Sequence, residues 1–408
     1  MAHSSPGTTV PLLRSNRTSW RSVSETRRAY LDHAATSTML PEAKEAMREA
    51  MELRGNPSSI HADGRRVRDL LDVAREALAG RLRCAFAEVV FTSGATESAN
   101  HALLGLALAH QSGARKRILA SAIEHPCVLQ LAPVLGQLGF RLETVPVSRD
   151  AVADPQRWAD RLSDDVLAVA IQHANNEVGT FQPVREVAEL AHRVGATVFV
   201  DAVQTMFEPW TVDELGADLV ALSGHKIGGP AGVGALYVRA GTRVNAWIRG
   251  GSQERERRGG TENVLGIVGF GAAVRTLLRR SGDLREARAA SRDAFLRRLA
   301  ENLPGAWTPT VPLQSALSGH AHLLFPGVDA ERLLIAMDLL GVSASAGSAC
   351  SAGSIDPSPV LLAMGLDPKA ARSGVRFTFG WSSTPEEAEW AADRVAEAHG
   401  RVAASRTG

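Results

Sequence analysis

The chain has 408 residues, more than one compact hydrophobic core usually serves, so two subdomains are expected. Hydrophobic residues make up 45% of the sequence and charged residues 22%, proportions typical of a globular protein. The formal net charge of +1 produces no strongly basic or acidic field, which argues against direct binding to nucleic acid or to a membrane surface. No uninterrupted apolar stretch is long enough to span a bilayer.

The three cysteines are Cys84, Cys127 and Cys350, and none forms a CxxC pair. This spacing predicts neither a disulfide framework nor a metal site, and free thiols favour a reducing, cytoplasmic location. Residues 1–28 contain Ser, Thr and Arg but one acidic residue, Glu25, a composition that can mimic an organellar transit peptide. Two prolines and little helical amphipathicity favour a disordered extension instead.

Strand-like and helix-like segments alternate through the first two thirds of the chain. Pro41 opens an alanine-rich helix to about Met51, and apolar residues at helical spacing predict a second helix over 67–82. Strands are then predicted at 89–91, 117–121, 141–147, 166–172, 197–200, 217–222 and 233–238, with helices at 99–109, 128–138 and 184–194. This alternation predicts an α/β fold with a mainly parallel sheet covered on both faces.

The last third of the chain has a different pattern. It predicts helices at about 264–280, 285–299 and 330–340, and strands at 322–325 and 375–379. We therefore expect residues 46–279 to form a large domain. Residues 29–45 and 280–408 are expected to form a smaller one.

Polar residues follow five of the predicted strands where each strand ends. Ligands of parallel α/β sheets bind at the carboxyl ends of the strands. The residues are Thr96, His125, Asn175-Asn176-Glu177, Asp201 and Lys226. Five polar strand ends favour one shared binding site more strongly than any single residue does.

The run TSGATES at 92–98 leads from a predicted strand into a helix. Free backbone N–H groups and the helix dipole make such a turn suitable for a phosphate, although a plain helix cap is the alternative. It is neither a Walker loop nor a dinucleotide fingerprint. The glycine-bounded, arginine-rich segment 250–261, ending at Thr261, is either a solvated loop or a second contact for a phosphate or carboxylate.

Lys226 lies between two apolar, strand-like runs. Lysine is rarely buried without a partner, and a desolvated amine is a nucleophile able to form a Schiff base. A surface hairpin with an exposed lysine is the alternative. Asp201 ends a strand about 25 residues upstream and could hold a protonated pyridine nitrogen. A lysine paired with such an acid is what a pyridoxal phosphate site requires.

Three further residues each have a structural and a functional interpretation. His125 is either a buried histidine bonded to backbone or a ring that stacks on an aromatic cofactor and moves protons, which its strand-end position favours. Arg376 is either a solvated arginine or a clamp for a substrate carboxylate. Cys350 lies in a run of small residues, 343–354, that predicts a mobile loop and hence an accessible, reactive thiol. Cys84 and Cys127 are expected to be packing residues.

Nine motifs in chain order resemble those of the cysteine desulfurases, pyridoxal phosphate enzymes of the class V aminotransferase family. The resemblance covers roughly residues 30–381. The motifs are YLDHAAT (30–36), GNPSSIH (55–61), TSGATES (92–98), EHPCVL (124–129), NNEVG (175–179), DAVQ (201–204), SGHKIGGPAGVGALYVR (223–239), QERERRGGTENV (253–264) and SAGSACSAGS (345–354). The resemblance implies fold-type I, with a mainly parallel seven-stranded sheet in the large domain and an α+β small domain.

The resemblance also implies roles at matching positions. Lys226 would carry the cofactor, Asp201 would pair with its pyridine nitrogen, and Gln204 would contact its ring hydroxyl. His125 would stack on the ring. The implied cofactor-binding residues are Ala95, Thr96, His125, Asn176, Asp201, Gln204, Ser223, His225, Lys226 and Thr261, of which Ala95, Thr96, Ser223 and His225 would bind the phosphate.

Thr261 would reach the phosphate of the other subunit, which implies a homodimer. Asn176 and Arg376 would bind the substrate, and the catalytic residues would be Cys350, Lys226 and His125. The implied reaction converts L-cysteine to L-alanine and leaves a persulfide on Cys350. A sulfur-acceptor protein, serving Fe–S cluster assembly, tRNA thiolation or another sulfur pathway, would then receive the sulfur.

The sequence departs from the family pattern at Ser252, where a third glycine is usual, at 228–231 and at 207–210. None of these departures removes a group that the chemistry needs. A selenocysteine lyase, a C–S lyase or another class V reaction would need Lys226 and Asp201 but not Cys350. A non-enzymatic scaffold would have lost a cofactor or nucleophile residue, and the sequence retains them all.

Overall fold

The computed structural model describes residues 27–347 and 357–404. Its strands are β1 (Ala29–Tyr30), β2 (Val89–Thr92), β3 (Arg117–Ser121), β4 (Arg141–Val145), β5 (Val166–Gln172), β6 (Thr197–Asp201), β7 (Leu219–Ser223), β8 (Gly234–Val238), β9 (Thr308–Pro309), β10 (His320–Leu324), β11 (Val342–Ser343) and β12 (Gly374–Thr378). Its helices are α1 (Pro41–Met51), α2 (Ala62–Leu82), α3 (Ala95–Ala109), α4 (Pro126–Leu129), α5 (Ala132–Gln137), α6 (Pro155–Ala159), α7 (Val184–Arg193), α8 (Val212–Leu215), α9 (Val264–Asn302), α10 (Ala330–Leu339), α11 (Pro359–Ala363), α12 (Pro368–Ala371) and α13 (Pro385–Ala404).

A seven-stranded sheet in the order β2-β8-β7-β6-β5-β3-β4 forms the centre of the large part. Every strand pair is parallel except those of β8, which runs antiparallel to both β2 and β7. The predicted α/β class and mainly parallel seven-stranded sheet are therefore confirmed.

Both faces of this sheet are buried, as the continuous apolar strands require. Along β5, Val169 and Ile171 pack into the core beside α2, α7 and α9, whereas Ala168 and Ala170 pack into the core beside α3. Because successive side chains point to opposite faces, one strand serves both cores.

A second core lies outside this sheet. The three-stranded sheet β12-β10-β9 and the short pair β1–β11 pack against α10, α13 and the C-terminal half of α9. Phe295, Phe377 and Phe379 stack within it, with ring centroids 4.7 Å apart for the first two and 5.6 Å for Phe295 and Phe379. This mixture of an antiparallel sheet and helices matches the expected smaller α+β unit.

Helix α9 differs from its prediction, because it is a single helix rather than two. The charged stretch around Gly282 resembled a break, but a side chain there would meet open space and the helix continues through it. Its first half packs against α1 and α2 and its second half against α13. The domain boundary predicted at residue 280 falls inside this helix and stays a prediction.

Other helices also differ from their predictions: α2 begins at Ala62 rather than at residue 67, and α6, α8, α11 and α12 were not predicted. Helix α3 begins at Ala95 rather than at residue 99, so the TSGATES turn includes its first turn. The helix predicted over 128–138 is two short helices, α4 and α5, and Pro133 lies in the first turn of the second one, where its missing N–H costs nothing. Helix α13 was not predicted.

Candidate active site

Three neighbouring parallel strands bring their polar ends together. In the sheet register, Gln172 at the end of β5 lies opposite Asp201 at the end of β6, and Asp201 lies opposite Ala221 of β7. The chain leaves β7 through the 3-10 turn Gly224–Lys226. Lys226 and Asp201 therefore lie at the same edge of the sheet, as their strand-end positions predicted.

The amine of Lys226 is held by the segment that follows β1. Its Nζ donates hydrogen bonds to the carbonyl oxygens of Ala34 at 2.6 Å and Ala35 at 2.8 Å. Gln204 Nε2 also donates to the Ala34 oxygen, at 3.1 Å. Lys226 and Gln204, predicted separately, thus meet at one backbone carbonyl. The side chain is partly buried, so the exposed-hairpin alternative does not hold.

The carboxyl of Asp201 lies in the field of two basic groups. Burial raises its pKa, whereas the nearby His125 ring and the Lys226 amine oppose the rise. Asp201 Oδ1 also accepts a hydrogen bond from the Val203 backbone N–H at 3.0 Å. A buried acid beside basic groups is suited to hold a protonated ring nitrogen.

The imidazole of His125 caps the helix that follows it. Its Nδ1 accepts a hydrogen bond from the Cys127 backbone N–H at 3.1 Å. The ring proton of the neutral form therefore lies on Nε2, facing away from the helix. Burial lowers the pKa of His125, an effect that Asp201 opposes and Lys226 reinforces. The backbone-bonded interpretation of His125 therefore holds for Nδ1, and its role over a cofactor ring stays a prediction.

One glycine brings the predicted phosphate-binding groups side by side. Gly234 pairs with Thr92 on one side and Ser223 on the other. A side chain on Gly234 would place its first carbon 2.5 Å from the Leu222 carbonyl oxygen and 2.7 Å from the Gly94 Cα. The first turn of α3 therefore packs directly against the end of β7, where a larger residue would separate them.

The remaining predicted phosphate ligands lie on these two segments. Ala95 and Thr96 are the first two residues of α3, and Thr96 is exposed. His225 Nδ1 lies 3.2 Å from Thr36 Oγ1, and burial followed by the charge of Lys226 lowers the His225 pKa to about 4. A neutral imidazole next to free helix N–H groups can donate to a phosphate without adding charge.

Thr261 is set apart from this group on an exposed loop before α9. The loop is nevertheless fixed to the phosphate end, because Arg258 Nε donates to Glu97 Oε1 of α3 at 2.9 Å. It is also fixed to the core, where Glu254 accepts two hydrogen bonds of 2.7 Å from the buried Arg75. The arginine-rich segment is therefore an exposed loop braced at Arg258 and Glu254, and its contact with a phosphate or carboxylate stays a prediction.

Arg376 is buried, contrary to the solvated alternative, with only 1% of its side chain exposed. Its Nη1 donates to the carbonyl oxygens of Asn176 at 2.9 Å and Gly347 at 2.7 Å, and its Nη2 donates to Asp32 Oδ1 at 2.7 Å. Its Nε is buried and has no hydrogen-bond partner among the described residues. Arg376 and Asn176, predicted as substrate ligands, are thus in direct contact.

Cys350 lies outside the described residues. The other two cysteines, Cys84 and Cys127, are free thiols in the described part of the chain. Burial raises the pKa of Cys84 to about 12, which keeps that thiol protonated and unreactive. This agrees with the packing role expected for it.

Sequence reasoning missed one acid of the site, Asp32, which stood inside the YLDHAAT motif. It named Glu177 as part of a polar strand end but gave it no individual role. Asp32 pairs with Arg376, and Glu177 is 2% exposed next to Asn176. An acid two residues after the end of a short strand, as at Asp32, was the available signal.

The sequence matches the aminotransferase class V family over residues 29–390. The chain belongs to this family. Cysteine desulfurase IscS of Dictyoglomus turgidum is 40% identical over 369 residues, covering 90% of this chain and 93% of the relative. The putative cysteine desulfurase IscS 1 of Bacillus subtilis is 39% identical, covering 91% and 98%.

Solved structures agree with the family assignment. A NifS-like protein superposes with a TM-score of 0.85 at 31% identity, covering 92% of this chain and 100% of that one. DndA from Streptomyces lividans superposes with a TM-score of 0.71, also at 31% identity, covering 86% and 99%. The class V chain is a cysteine desulfurase with the predicted fold-type I architecture.

Members of this family depend on pyridoxal phosphate, and the residues present fit that group. The site has an amine for the aldehyde, a buried carboxyl beside basic groups, and a helix N-terminus for the phosphate. In the described part of the chain, no helix is long and apolar enough to cross a membrane.

Proposed function

We propose that this cysteine desulfurase transfers the sulfur of L-cysteine to Cys350, releases L-alanine, and passes the sulfur to an acceptor protein. The observation that carries the proposal is the contact of Arg376 with both Asn176 and Gly347. Gly347 is three residues before Cys350 in the sequence, so the substrate-binding arginine touches the segment that carries the nucleophile. A solved relative, SspA, is described in complex with cysteine.

The cofactor-binding residues would be those predicted above. Asp201 would hold the ring nitrogen, His125 would lie over the ring, and Gln204 would bond the ring hydroxyl. Ala95, Thr96, Ser223 and His225 would bind the phosphate. When bound, pyridoxal phosphate holds the substrate amino group and takes up the electron pair left when the α-proton departs.

The chain's own groups would perform the remaining steps. The Lys226 amine would take the α-proton and return a proton to the product. The Nε2–H of His125 would donate towards the site. The Arg376 Nε, buried without a partner among the described residues, is a donor left for the substrate carboxylate.

The sulfur transfer needs no external oxidant, because the electrons lost by sulfur are taken up by carbon. The Cys350 thiolate forms a bond to the substrate sulfur while the Cβ–S bond breaks. The bonding electron pair goes to the carbon, which takes a proton and becomes the methyl group of alanine. The transferred sulfur is thereby oxidised, the carbon is reduced, and Cys350 holds a persulfide.

We also propose a homodimer in which Thr261 reaches the phosphate of the other subunit. The braced loop of Arg258 supports this, because it holds Thr261 in a fixed, exposed place. The free thiols Cys84 and Cys127 support a cytoplasmic location. The acceptor would serve Fe–S assembly, tRNA thiolation or another sulfur pathway. We also propose that residues 46–279 form the large domain and that residues 29–45 and 280–408 form the small one.

The first test compares the purified wild-type protein with the Cys350→Ala variant in the presence of L-cysteine and a reductant. The wild-type protein should release alanine and sulfide in equal amounts, and the variant should release neither. Cys84→Ala is the matched control and should behave as the wild type does.

Turnover by Cys350→Ala would contradict the proposal and favour a C–S lyase or a selenocysteine-directed reaction. Failure of the wild-type protein to bind cofactor would contradict every assignment at Lys226. Size-exclusion chromatography with light scattering tests the homodimer, and a monomeric mass would exclude the role proposed for Thr261.

A further inference from the structure

Glu177 is a buried carboxyl to which the active-site chemistry assigns no role. It is 2% exposed and follows Asn176 directly. Its backbone is fixed, because the Asn175 side-chain oxygen accepts hydrogen bonds from the N–H groups of Glu177 at 2.8 Å and Val178 at 2.9 Å. Burial raises the pKa of Glu177, and hydrogen bonding to Ser358 and the charge of Arg376 oppose that rise. Burying a carboxyl costs free energy, which suggests that Glu177 has a structural or functional role.

The segment before Cys350 ends at this carboxyl. Gly347 has φ near 110°, and a side chain there would place its first carbon 2.5 Å from Glu177 Oε2. Only glycine fits both constraints. The Gly347 carbonyl is bonded to Arg376, and its N–H donates to Ser345 Oγ at 3.3 Å. Ser345 in turn pairs with the Arg376 backbone, at 2.7 Å from the Arg376 N–H to the Ser345 oxygen.

The segment after Cys350 returns to the same oxygen atom. Ser358 Oγ donates to Glu177 Oε2 at 2.5 Å and also caps α11 by accepting from the Leu361 N–H at 3.2 Å. Val360 and Leu361 of that helix pack in the same small core as Val178. The downstream end is therefore fixed beside Glu177 through a hydrogen bond and through packing.

We infer that Glu177 is a positioning residue that joins both ends of the segment carrying Cys350 and thereby sets where its thiol meets the substrate. This rests on the proposed role of Cys350. Cys350 is three residues after Gly347 in the sequence, so a shift of the Gly347 anchor shifts the start of the segment that carries the thiol. A displacement of about 1 Å can cost on the order of 100-fold in rate.

Four variants of the holoenzyme test the inference. Glu177→Ala removes the carboxyl against which Gly347 packs and to which Ser358 donates, and Glu177→Gln keeps an oxygen for Ser358. Ser358→Ala removes one bond to the carboxyl together with a helix cap. Thr211→Ala is its matched control, because Thr211 Oγ1 caps a short helix at 3.2 Å and has no such carboxyl partner.

We expect Glu177→Ala to lower kcat by about 10- to 100-fold while KM changes by less than about threefold. A misplaced nucleophile slows the chemical step, whereas the groups that bind the substrate are unchanged. Glu177→Gln should recover most of the rate, and Ser358→Ala should lose more than Thr211→Ala does. Cofactor absorbance near ~420 nm should be the same in every variant. Wild-type kcat in Glu177→Ala, or an equal loss in Glu177→Gln, would overturn the inference.

A second measurement does not depend on activity. The rate of subtilisin cleavage within residues 348–357, located by mass spectrometry, should rise at least about tenfold in Glu177→Ala and stay near wild type in Glu177→Gln and Thr211→Ala, since cleavage follows local opening. Unchanged cleavage in Glu177→Ala would refute the joining of the two ends. Turnover by Cys350→Ala would instead refute the proposed function, and the cleavage rates would still decide whether Glu177 joins the ends.

Discussion

The two ends of the active site are built in different ways. At the cofactor end, Asp201, Ser223 and Lys226 follow neighbouring strands of one sheet. At the substrate end, Arg376 contacts Asp32, Asn176 and Gly347, which come from three separate parts of the chain. The first end is positioned by the sheet and the second by a network of buried polar contacts. We therefore expect changes at the cofactor end to affect chemistry and changes at the substrate end to affect both chemistry and stability.

The largest expected effect is at Lys226. Lys226→Ala removes the amine that holds the cofactor and moves the α-proton, so kcat should fall by about 10⁴-fold, the upper range for a positioned acid–base group. The free energy of unfolding should fall by less than in Arg376→Ala, because the Ala34 carbonyl keeps Gln204 as a donor. Steady-state assays and urea unfolding measure the two, with the exposed Lys44→Ala as control. Retained turnover would exclude the proposed role of Lys226.

Arg376→Ala should lower both the catalytic efficiency and the stability of the protein. The kcat/KM should fall by about 10³-fold through loss of a buried charged ligand. The free energy of unfolding should also fall by about 3 kcal/mol, because Asp32 and two carbonyl groups lose their donor. The control Arg298→Ala breaks an exposed ion pair with Asp393 and should cost much less stability, because solvent screens exposed ion pairs. If Arg376→Ala is as stable as Arg298→Ala, the two ends do not differ in this way.

The acid sensitivity of the substrate end should depend on His322, the cross-strand neighbour of Arg376. Burial, followed by the charge of Arg376, lowers the His322 pKa to about 3. The folded protein keeps this ring neutral, whereas the unfolded chain binds a proton below about pH 6.5, so stability falls as the pH drops through that value.

Because of His322, the free energy of unfolding should be about 2 kcal/mol lower at pH 5 than at pH 8. Urea unfolding of the wild-type protein and of His322→Gln at both pH values measures it. The variant should lose less stability on acidification, and equal losses in the two proteins would contradict the assignment.

The smallest expected effect is at the glycine between the two phosphate-binding segments. Gly234→Ala should raise the dissociation constant for pyridoxal phosphate by about tenfold, or about 1.4 kcal/mol, because the added methyl pushes the first turn of α3 from β7. Fluorescence titration of the apoenzyme measures this. Gly80→Ala lies in open space on α2 and should leave the affinity unchanged. An unchanged affinity in Gly234→Ala would show that the close approach is not needed.

The same contrast explains what the sequence could predict. The cofactor end follows from local order, because a strand and the residue after it are neighbours in the chain, and Asp201 and Lys226 were found in this way. The sheet itself was predictable for the same reason. The helix α9 was not, since the charged stretch at 279–283 resembles a loop until packing on both sides is known.

The substrate end depends on contacts that no local pattern records. Arg376 on its own resembled a solvated residue, and only the resemblance to a family gave it a role. Its charge is paired with Asp32, and no local sequence pattern marks that acid as the partner of Arg376. Glu177 was seen as part of a polar strand end, but its contacts with Gly347 and Ser358 come from distant segments.

The ion pair between Asp32 and Arg376 joins residues 344 positions apart. During synthesis the N-terminal part of a chain folds first, so the large sheet can form while Arg376 is still absent. Until then Asp32 has no cation to meet, and Gly347 has no guanidinium to accept from. A nascent or truncated chain could thus assemble the cofactor end without being able to remove sulfur from cysteine. The late contact makes release of a reactive sulfur species conditional on a finished polypeptide.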